Sequence, residues 1–413
     1  MRVFRSFAPG SSRTFHSETS SQRIARRRIY RNTPGSIDRH IFYVPGPKDP
    51  DLPWLTSKKT KPVMALLIAA HNEELVLGKT IESAIAAGMK PEHIYVVDDN
   101  STDKTSVIAT KFIPAGNVVK VRRSGKGLAL TKAGRKFRLA ERYRWIHVAD
   151  ADGAFAPDYF TVFRRELRTD YAAATGYIRS LPGKRVSEYR VFEYTVGMEL
   201  HRRVQAALNV IPVIAGPTSC FRADVFARVN FDNKSLTEDF DVTMQLHRKK
   251  LGKIQFIPNA VTYTQDPKTL SDYTKQIRRW NRGGLQSMLK YKIGRKPTRI
   301  DAYLTYQIMQ NMLFFVSYLI WVPYLAITRH SLDFLAAAFV IDVFVTFVIT
   351  YFTAVRTKRW DVISAFPYVY VLRWVSLAVF LQSFVEVVLL RKYRTNSGAW
   401  ENNSTRRYVM ESS

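Results

Sequence analysis

The stretch VMALLIAAHNEE, residues 63–74, joins an apolar run of strand length to a polar cluster that begins directly after it. The same arrangement recurs in IYVVDDNSTD, residues 94–103, and in RWIHVADADG, residues 144–153. Stretches with helical patterning, such as 75–87 and 126–142, separate the three runs. Short buried strands that alternate with amphipathic helices indicate an α/β fold with a mostly parallel sheet and helices on both faces.

Polar side chains stand where each of these strands ends, and together they predict a ligand site. In such sheets, ligands bind beyond the carboxyl ends of the strands. Asp150 and Asp152, one residue apart after the third strand, are suited to a hard divalent cation, which in turn bridges diphosphate oxygens. Each cluster alone also fits an ordinary role, because Asp and Asn commonly begin turns and helices. The prediction therefore depends on their occurring together.

The chain is strongly basic, with 63 Lys and Arg against 34 Asp and Glu among its 413 residues and a formal net charge of +29. This excess predicts a polyanionic neighbour, such as nucleic acid, an anionic lipid surface or a phosphorylated substrate. A nucleic-acid-binding or membrane-scaffold protein would explain the charge but would leave the acidic clusters without a purpose, so we expect no nucleic acid partner. The single cysteine, Cys220, excludes intrachain disulfides and multi-cysteine metal sites.

Three apolar segments follow one another near the C-terminus, over residues 303–328, 331–355 and 363–390. Each exceeds the ~20 residues that a helix needs to cross ~30 Å of hydrocarbon, so we expect a lipid bilayer as a partner. The alternative is three buried helices of a large soluble core. If the segments span a membrane, their charged residues Asp342, Arg373 and Glu386 are expected to face other helices or a cavity.

Before the first apolar segment, the stretch TKQIRRWNRGG at residues 274–284 places four Lys and Arg around one Trp. A cationic, aromatic helix at this position is expected to lie on the membrane surface, where its charge suits anionic headgroups. We interpret it as a lid over the site that the preceding residues build.

Seven motifs in this order resemble those of the family 2 glycosyltransferases. Within that family they are similar to the membrane-embedded processive synthases that make hyaluronan, chitin, cellulose and poly-N-acetylglucosamine. The motifs are AAHNEE (69–74), VVDDNSTD (96–103), SGKGLAL (124–130), VADADG (148–153), IAGPTSCFR (214–222), TEDFDVT (237–243) and QIRRW (276–280). The resemblance implies a GT-A catalytic domain, which is a Rossmann-like mixed sheet that binds a nucleotide sugar. Interfacial helices and about three C-terminal transmembrane helices would follow it.

The resemblance also implies a role for each residue that matches a motif. Asp239 matches the general base, and Asp152 and Asp150 match the ligands of a divalent cation, Mg²⁺ or Mn²⁺. The matching donor-binding residues are Ala70, Asn72, Glu73, Asp98, Asp99, Lys126, Asp150, Gln276 and Arg279. The matching acceptor-binding residues are Trp280, Glu238 and Gly216. A free aspartate has a pKa of ~3.9, so the surroundings of Asp239 are expected to raise its pKa or to align it closely.

The activity implied is that of a membrane-bound inverting glycosyltransferase with a UDP-sugar donor and a growing polysaccharide as acceptor. UDP-N-acetylglucosamine and UDP-glucose are both open as donors. The alternative is a single-sugar transferase that acts on a polyprenyl phosphate or another lipid-linked acceptor, such as a glycolipid. The QxxRW motif favours the polysaccharide, because simple lipid-phosphate transferases usually lack it.

Two features depart from the polymer synthases. Those enzymes usually have membrane helices before the catalytic domain, and here only a basic arm precedes it. Three helices are also few to enclose a channel for a growing chain, and a homo-oligomer or an accessory subunit would complete one. Processive synthesis is therefore a weaker expectation than the transfer reaction itself.

The predicted organisation has five parts: a basic, largely disordered arm (1–60), a GT-A domain (61–270), an interfacial QxxRW region (271–302), about three transmembrane helices (303–390) and a basic tail (391–413). An organelle transit peptide is the alternative for the Arg-rich N-terminus. The expected location is the plasma (inner) membrane, multi-pass, with a cytoplasmic catalytic domain. Three crossings would put RTKRW (356–360) inside, as the positive-inside rule prefers, but RKYR (391–394) outside, against that rule.

Overall fold

The computed structural model describes residues 63–181, 185–231 and 235–392. The basic arm predicted for 1–60 and almost all of the tail predicted for 391–413 lie outside these ranges. Within them, one sheet consists of the strands β1 (Met64–Ala70), β2 (Ile94–Asp98), β3 (Val118–Lys120), β4 (Trp145–Asp150), β5 (Ala154–Phe155), β6 (Ala173–Ser180), β7 (Ser219–Arg222) and β8 (Ile254–Thr264).

The strands lie in the order β3-β2-β1-β4-β7-β6-β8-β5. The first four strands of that order run parallel to one another, and β6 runs parallel to β8. β7 is antiparallel to both of its neighbours, and β5 is antiparallel to β8. The sheet is therefore mixed, as expected of a GT-A domain. β1 lies near its centre with every residue buried, because an apolar strand without alternation needs cover on both faces.

Helices cover both faces of this sheet. They are α1 (Leu77–Ala86), α2 (Thr105–Thr110), α3 (Lys126–Lys136), α4 (Leu139–Arg142), α5 (Tyr159–Glu166), α6 (Arg185–Thr195), α7 (Arg203–Leu208), α8 (Ala223–Arg228) and α9 (Glu238–Arg248). α1, α2 and α5 pack on one face, and α3, α8 and α9 pack on the other. The helix predicted over 126–142 is two helices, because the left-handed φ of 53° at Arg138 interrupts it.

The remaining helices are α10 (Leu270–Lys290), α11 (Arg299–Val316), α12 (Val322–Thr328), α13 (Asp333–Thr357), α14 (Asp361–Ser364) and α15 (Phe366–Phe384). A π-helical turn joins α11 to α12, and another extends α15 to Leu389. Three of the resulting helices are long and apolar enough to cross a membrane, and we call them the first (Arg299–Thr328), second (Asp333–Thr357) and third (Phe366–Leu389) apolar helix.

The charged residues of these apolar helices face protein partners. Asp342 on the second helix is buried and pairs with Arg373 on the third. Glu386, near the end of the third helix, pairs with Arg278 of α10. The expectation that Asp342, Arg373 and Glu386 face other helices is confirmed.

α10 lies between the sheet and the third apolar helix. On one side, its residues Tyr273 and Ile277 share a buried cluster with Val369 and Leu372 of the third helix. On the other side, Gly283 packs directly against Thr237, the residue before α9. The helix that carries QIRRW therefore contacts both the third apolar helix and the residue that precedes α9.

Candidate active site

The register of the sheet brings the three polar clusters to one edge. Ala70, at the end of β1, is paired with Asp98, at the end of β2. Ala69 is paired with Asp150, at the end of β4. The prediction that polar residues meet beyond the carboxyl ends of the strands is therefore confirmed.

Asp98 and Asp99 hold the loops of this edge in place. The buried carboxylate of Asp98 accepts hydrogen bonds from the N–H of Ser101, at 2.6 Å, and from the hydroxyl of Ser106. The buried carboxylate of Asp99 accepts hydrogen bonds from the N–H groups of Ser124 and Gly125, both at 2.7 Å. The SGKG loop is thereby fixed against the end of β2.

The HNEE cluster is tied to the same loops. Asn72 has a left-handed φ of 55°, and its side-chain oxygen accepts a hydrogen bond from the N–H of Thr102 at 2.8 Å. The N–H of Glu73 donates to Thr105 Oγ1 at 2.8 Å, and the Glu73 side chain is buried. The predicted donor-binding residues Ala70, Asn72 and Glu73 are therefore hydrogen-bonded to the segment that begins at Asp99.

Thr80 of α1 fixes the DxD turn. Its buried hydroxyl lies 2.7 Å from the carbonyl oxygen of Ala151 and 2.8 Å from that of Gly153. These are the two residues that flank Asp152, whose own side chain is partly exposed. The hydroxyl of Thr80 therefore holds this turn on both sides of Asp152.

Lys126, the first residue of α3, joins two acidic clusters. Its ammonium lies 2.7 Å from Asp150 Oδ1 and 2.5 Å from Glu238 Oε1. Burial opposes the charge of Lys126, but the two carboxylates outweigh burial and raise its pKa. Gly216 lies against this ion pair, since a Cβ there would stand 3.1 Å from both Asp150 oxygens and from the ammonium. Any larger residue at position 216 would crowd the ion pair.

Glu238 and Asp239 begin α9 and differ in proton affinity. Burial, followed by the negative charge of Glu238, raises the pKa of Asp239 to about 6, although Lys126 opposes the rise. Burial also disfavours the charged form of Glu238, but Lys126 outweighs burial and lowers the pKa of Glu238. Asp239 is therefore the better proton acceptor of the two, and the expectation that its surroundings raise its pKa is confirmed.

α10 brings the QxxRW residues to this site. A Cβ at Gly283 would stand 2.5 Å from Thr237 Oγ1, so the backbones of α10 and the TED motif approach closely. The Lys290 ammonium, at the end of α10, lies 2.7 Å from Asp241 Oδ1 of α9. The positive charge of Arg279 helps to lower the pKa of Glu238. Gln276 is buried.

The cations of α10 are not all free for lipid headgroups. Arg278 Nη2 lies 2.5 Å from Glu386 Oε1, and Arg282 Nε lies 3.6 Å from Glu386 Oε2. Two of the four basic residues that led to the surface-helix interpretation thus contact the third apolar helix instead.

The Trp280 side chain is partly exposed to solvent, and its ring contacts a cation. The Arg190 guanidinium lies 4.8 Å from the centroid of the Trp280 ring. Arg190 is itself buried and donates to Glu193 Oε2 at 2.6 Å and to the Tyr194 hydroxyl at 2.5 Å. The predicted acceptor residue therefore has one face held by a fixed side chain.

Thr80 and Arg190 were not predicted from the sequence. A signal for Thr80 existed, because it interrupts the apolar stripe of Leu77, Ile81 and Ala84 on α1. Arg190 lies in a helix where Arg and aromatic residues are mixed, and nothing in that pattern shows which ring it contacts.

The residues at the DxD turn fit a divalent cation that binds together with a substrate. Over the described ranges, no group of three or more His, Cys, Asp or Glu side chains is arranged to hold a metal ion. Asp150 and Asp152 provide two carboxylates, and Asp152 is partly exposed. Mg²⁺ is commonly held by one or two carboxylates together with substrate phosphates and water, so this donor set is sufficient.

A mixed sheet of this order, with an acidic cluster at the carboxyl edge of its parallel strands and an apolar C-terminal part, defines a GT-A glycosyltransferase with candidate membrane helices. The chain belongs to the family described as "Glycosyltransferase like family 2", whose model matches residues 62–283.

Two relatives resemble most of the chain. "Probable glycosyltransferase YdaM" of Bacillus subtilis is 25% identical over 365 residues, which are 81% of this chain and 85% of the relative. "Poly-beta-1,6-N-acetyl-D-glucosamine synthase" of Staphylococcus epidermidis is 24% identical over 309 residues, which are 71% of this chain and 73% of the relative. Among solved structures, the mannosyltransferase PcManGT from Pyrobaculum calidifontis in complex with GDP-Man and Mn²⁺ is 16% identical, with a TM-score of 0.45, over 77% of this chain and 92% of that one.

Proposed function

We propose that this glycosyltransferase transfers a sugar from UDP-N-acetylglucosamine or UDP-glucose to a growing polysaccharide, with inversion at the anomeric carbon. The contact that carries the proposal is the bridge from Asp150 through Lys126 to Glu238, which joins the DxD turn to the TED motif. Similarity to a poly-β-1,6-N-acetyl-D-glucosamine synthase supports the aminosugar donor and the polymeric acceptor.

Asp239 acts as the general base. The bond from the acceptor oxygen to the anomeric carbon forms as the bond from that carbon to the diphosphate oxygen breaks, and the hydroxyl proton passes to the Asp239 carboxylate. A pKa of about 6 leaves Asp239 ionised at neutral pH and makes it more basic than a free aspartate. The nucleoside diphosphate leaves with the electron pair.

Cationic side chains stabilise the leaving group. The Lys126 ammonium lies 2.5 Å from Glu238 Oε1 and its charge opposes the rise in the pKa of the proposed base Asp239, and the positive charge of Arg279 helps to lower the pKa of Glu238. Asp152 and Asp150 would hold a divalent cation, Mg²⁺ or Mn²⁺, which when bound supplies positive charge to the diphosphate. Preorganised charge of this kind needs no reorganisation during the reaction.

The remaining residues divide between donor and acceptor. Ala70, Asn72, Glu73, Asp98 and Asp99 shape the loops that receive the nucleotide, and Gln276 and Arg279 of α10 are proposed to contact the donor. Trp280, Glu238 and Gly216 are proposed to contact the acceptor. The exposed part of the Trp280 ring suits the apolar face of a pyranose, and an aromatic ring costs little conformational entropy to hold in place.

The catalytic domain is proposed to lie on the cytoplasmic side of the plasma (inner) membrane. Arg356, at the end of the second apolar helix, lies 2.9 Å from Glu199 of the catalytic domain. The basic stretch 356–360 is therefore on the same side as that domain, and the positive-inside rule assigns this side to the cytoplasm. We also propose that a homo-oligomer or an accessory subunit completes the channel through which a polymer would cross the membrane.

The direct test is to incubate membranes that contain the protein with a panel of radiolabelled nucleotide sugars and to size the product. Labelled polysaccharide from UDP-N-acetylglucosamine or UDP-glucose is expected. A lipid-linked monosaccharide as the sole product would contradict the polysaccharide acceptor and support a polyprenyl phosphate or glycolipid instead.

Asp239→Asn is expected to abolish transfer and to leave nucleotide binding largely intact. Asp224→Asn, at an exposed carboxylate of α8, is the matched control and should transfer normally. Loss of nucleotide affinity in Asp239→Asn would contradict the assignment of Asp239 as the base.

A further inference from the structure

A chain of hydrogen bonds connects the third apolar helix with the catalytic domain. Ser376 Oγ, midway along the helix, lies 2.6 Å from the hydroxyl of Tyr273 on α10 and 3.1 Å from that of Tyr189 on α6. The Tyr273 hydroxyl in turn donates to Glu193 Oε1 of α6 at 3.0 Å, because an ionised carboxylate only accepts. Both tyrosine side chains are buried. A serine of the apolar helix is therefore bonded to two helices of the catalytic domain at once.

The same chain of contacts continues to the Trp280 ring, the proposed acceptor platform. Arg190 Nη1 donates to Glu193 Oε2 at 2.6 Å, so one carboxylate binds both Tyr273 and Arg190. The Arg190 guanidinium lies 4.8 Å from the centroid of the Trp280 ring. An uninterrupted series of side-chain contacts thus leads from the apolar helix to the platform, through Ser376, Tyr273, Glu193, Arg190 and Trp280.

A second attachment joins the third apolar helix to α10. The carboxylate oxygens of Glu386, near the end of the apolar helix, lie 2.5 Å from Arg278 Nη2 and 3.6 Å from Arg282 Nε. In the sequence of α10, Tyr273 precedes the QxxRW motif and Arg282 follows it. The stretch of α10 that carries this motif is therefore bound to the third apolar helix on both of its sides.

The third apolar helix is also bound to the first two. Arg373 pairs with Asp342 of the second helix. The centroid of the Trp374 ring lies 5.4 Å from that of Phe314 and 5.5 Å from that of Tyr318, both on the first helix. Ser376 follows Arg373 and Trp374 within one helical turn. The packing of the three apolar helices therefore determines where the Ser376 hydroxyl lies.

We infer that the third apolar helix positions the acceptor platform and that Ser376 is the residue through which it does so. The inference rests on the proposed function, since it takes Trp280 as the ring on which the acceptor sugar lies. Ser376 acts through Tyr273 and Glu193 rather than on a substrate, because these two residues fix the guanidinium that stacks on the ring. Acceptor binding therefore depends on how the apolar helices pack.

Removal of the Ser376 hydroxyl tests the inference. Ser376→Ala eliminates the contacts with Tyr273 and Tyr189. Ser383→Ala is the matched control, because Ser383 is a buried serine of the same helix whose hydroxyl donates to the carbonyl oxygen of Val379, one turn earlier, at 2.7 Å. Ser376→Thr keeps a hydroxyl at the test position and is the conservative variant.

The kinetic measurement uses membranes that contain the full chain, UDP-N-acetylglucosamine as donor and a β-1,6-linked N-acetylglucosamine oligosaccharide as acceptor. Ser376→Ala is expected to raise KM for the oligosaccharide about 3- to 10-fold, the effect of losing uncharged hydrogen bonds, and to leave KM for the donor unchanged. Ser383→Ala should change neither KM, and Ser376→Thr should restore KM for the oligosaccharide. Equal changes in both KM values, or a fall in kcat alone, would show a merely structural role and overturn the inference.

A second measurement does not depend on turnover. In protein labelled with fluorinated tryptophan, the fluorine NMR resonance of Trp280 is identified by its absence from Trp280→Phe. This resonance should shift in Ser376→Ala and stay in place in Ser383→Ala, and an unmoved resonance in Ser376→Ala would overturn the inference. If the resonance shifts but the parent protein transfers no sugar to the oligosaccharide, the proposed acceptor is wrong and the positioning of Trp280 by the third apolar helix stands.

Discussion

The ammonium of Lys126 lies 2.5 Å from Glu238 Oε1, and through this contact the first residue of α3 is bound to the first turn of α9. The same ammonium binds Asp150 of the DxD turn at 2.7 Å. One cation therefore joins the two acidic motifs that are far apart in the sequence, and it stands beside Asp239. Lys126 therefore links the DxD turn to the TED motif.

Lys126→Met removes this cation and is expected to raise KM for the donor by about 10- to 100-fold, the equivalent of the ~1.5–3 kcal/mol of a hydrogen bond to a charged group. Because Lys126 opposes the rise in the pKa of Asp239, its loss should also move the acidic limb of the pH–rate profile to higher pH. Lys126→Arg, which keeps the charge, is the control. An unchanged KM and an unchanged acidic limb in Lys126→Met would contradict this role.

The pH dependence of transfer reports on Asp239. Because the base must be ionised and its pKa is raised to about 6, activity should be present above that pH and lost as pH falls through it. The negative charge of Glu238 contributes to the rise, so Glu238→Gln should move the acidic limb to lower pH, opposite to Lys126→Met. Circular dichroism at the same pH values separates protonation from unfolding. A limb that does not move in Glu238→Gln would show that another group titrates.

Much of this site could be predicted from the sequence, because its residues follow apolar strands whose carboxyl ends must share one edge. Asp98 and Asp150 are brought together by β2, β1 and β4 alone, and strand-length runs identify all three strands. Neighbours fixed by packing between elements could not be predicted in this way. Arg190 of α6 contacts the Trp280 ring of α10, and no periodicity in the sequence predicts that contact.

The partners of the third apolar helix likewise could not be predicted from the sequence. Its length and composition are those of a membrane span, and the sequence accordingly predicts a third crossing. Glu386 is the only residue of its last turn that departs from this pattern, but the sequence does not reveal that Arg278 and Arg282 are its partners. Hydropathy reports whether a helix tolerates hydrocarbon, whereas its place in the membrane depends on what packs against it.

Substitutions at two adjacent glycines of α10 test its contact with α9. Alanine is favoured over glycine by about 1 kcal/mol within a helix, so Gly284→Ala, with 3.8 Å between its Cβ and Phe240, should be neutral or stabilising. Gly283→Ala would place its Cβ within 2.5–3.0 Å of three Thr237 atoms and should force α10 away from the TED motif. Overpacking of this kind costs about 1–3 kcal/mol.

Thermal unfolding and transfer rates of the two variants should therefore diverge, with only Gly283→Ala losing stability and activity. Thr237→Ala, which removes two of the three crowded atoms, should restore part of what Gly283→Ala loses. If both alanine variants behave like the parent protein, the close approach of the two helices is not needed for activity.

Arg190 is expected to position Trp280 rather than to bind a substrate. Its guanidinium lies over the indole, and Glu193 and Tyr194 fix it there. Because the other partners of Arg190 include the buried Asp266, a neutral substitution would leave that carboxyl without its cation. Arg190→Lys keeps the charge but not the planar group that stacks on the ring, so it is the variant of choice.

Arg190→Lys should raise KM for the acceptor and leave KM for the donor unchanged, because only the acceptor platform is loosened. Trp280→Ala should have the same effect, and the double variant should be no worse than Trp280→Ala alone, since both changes remove one function. Additive effects of the two changes on acceptor KM would show that the stacking contact plays no part in acceptor binding. If Trp280→Ala leaves acceptor KM unchanged, the assignment of Trp280 itself is wrong, whatever Arg190→Lys does. The tryptophan emission spectrum is an independent check, because Arg190→Lys should change it in the parent protein and not in the Trp280→Ala background.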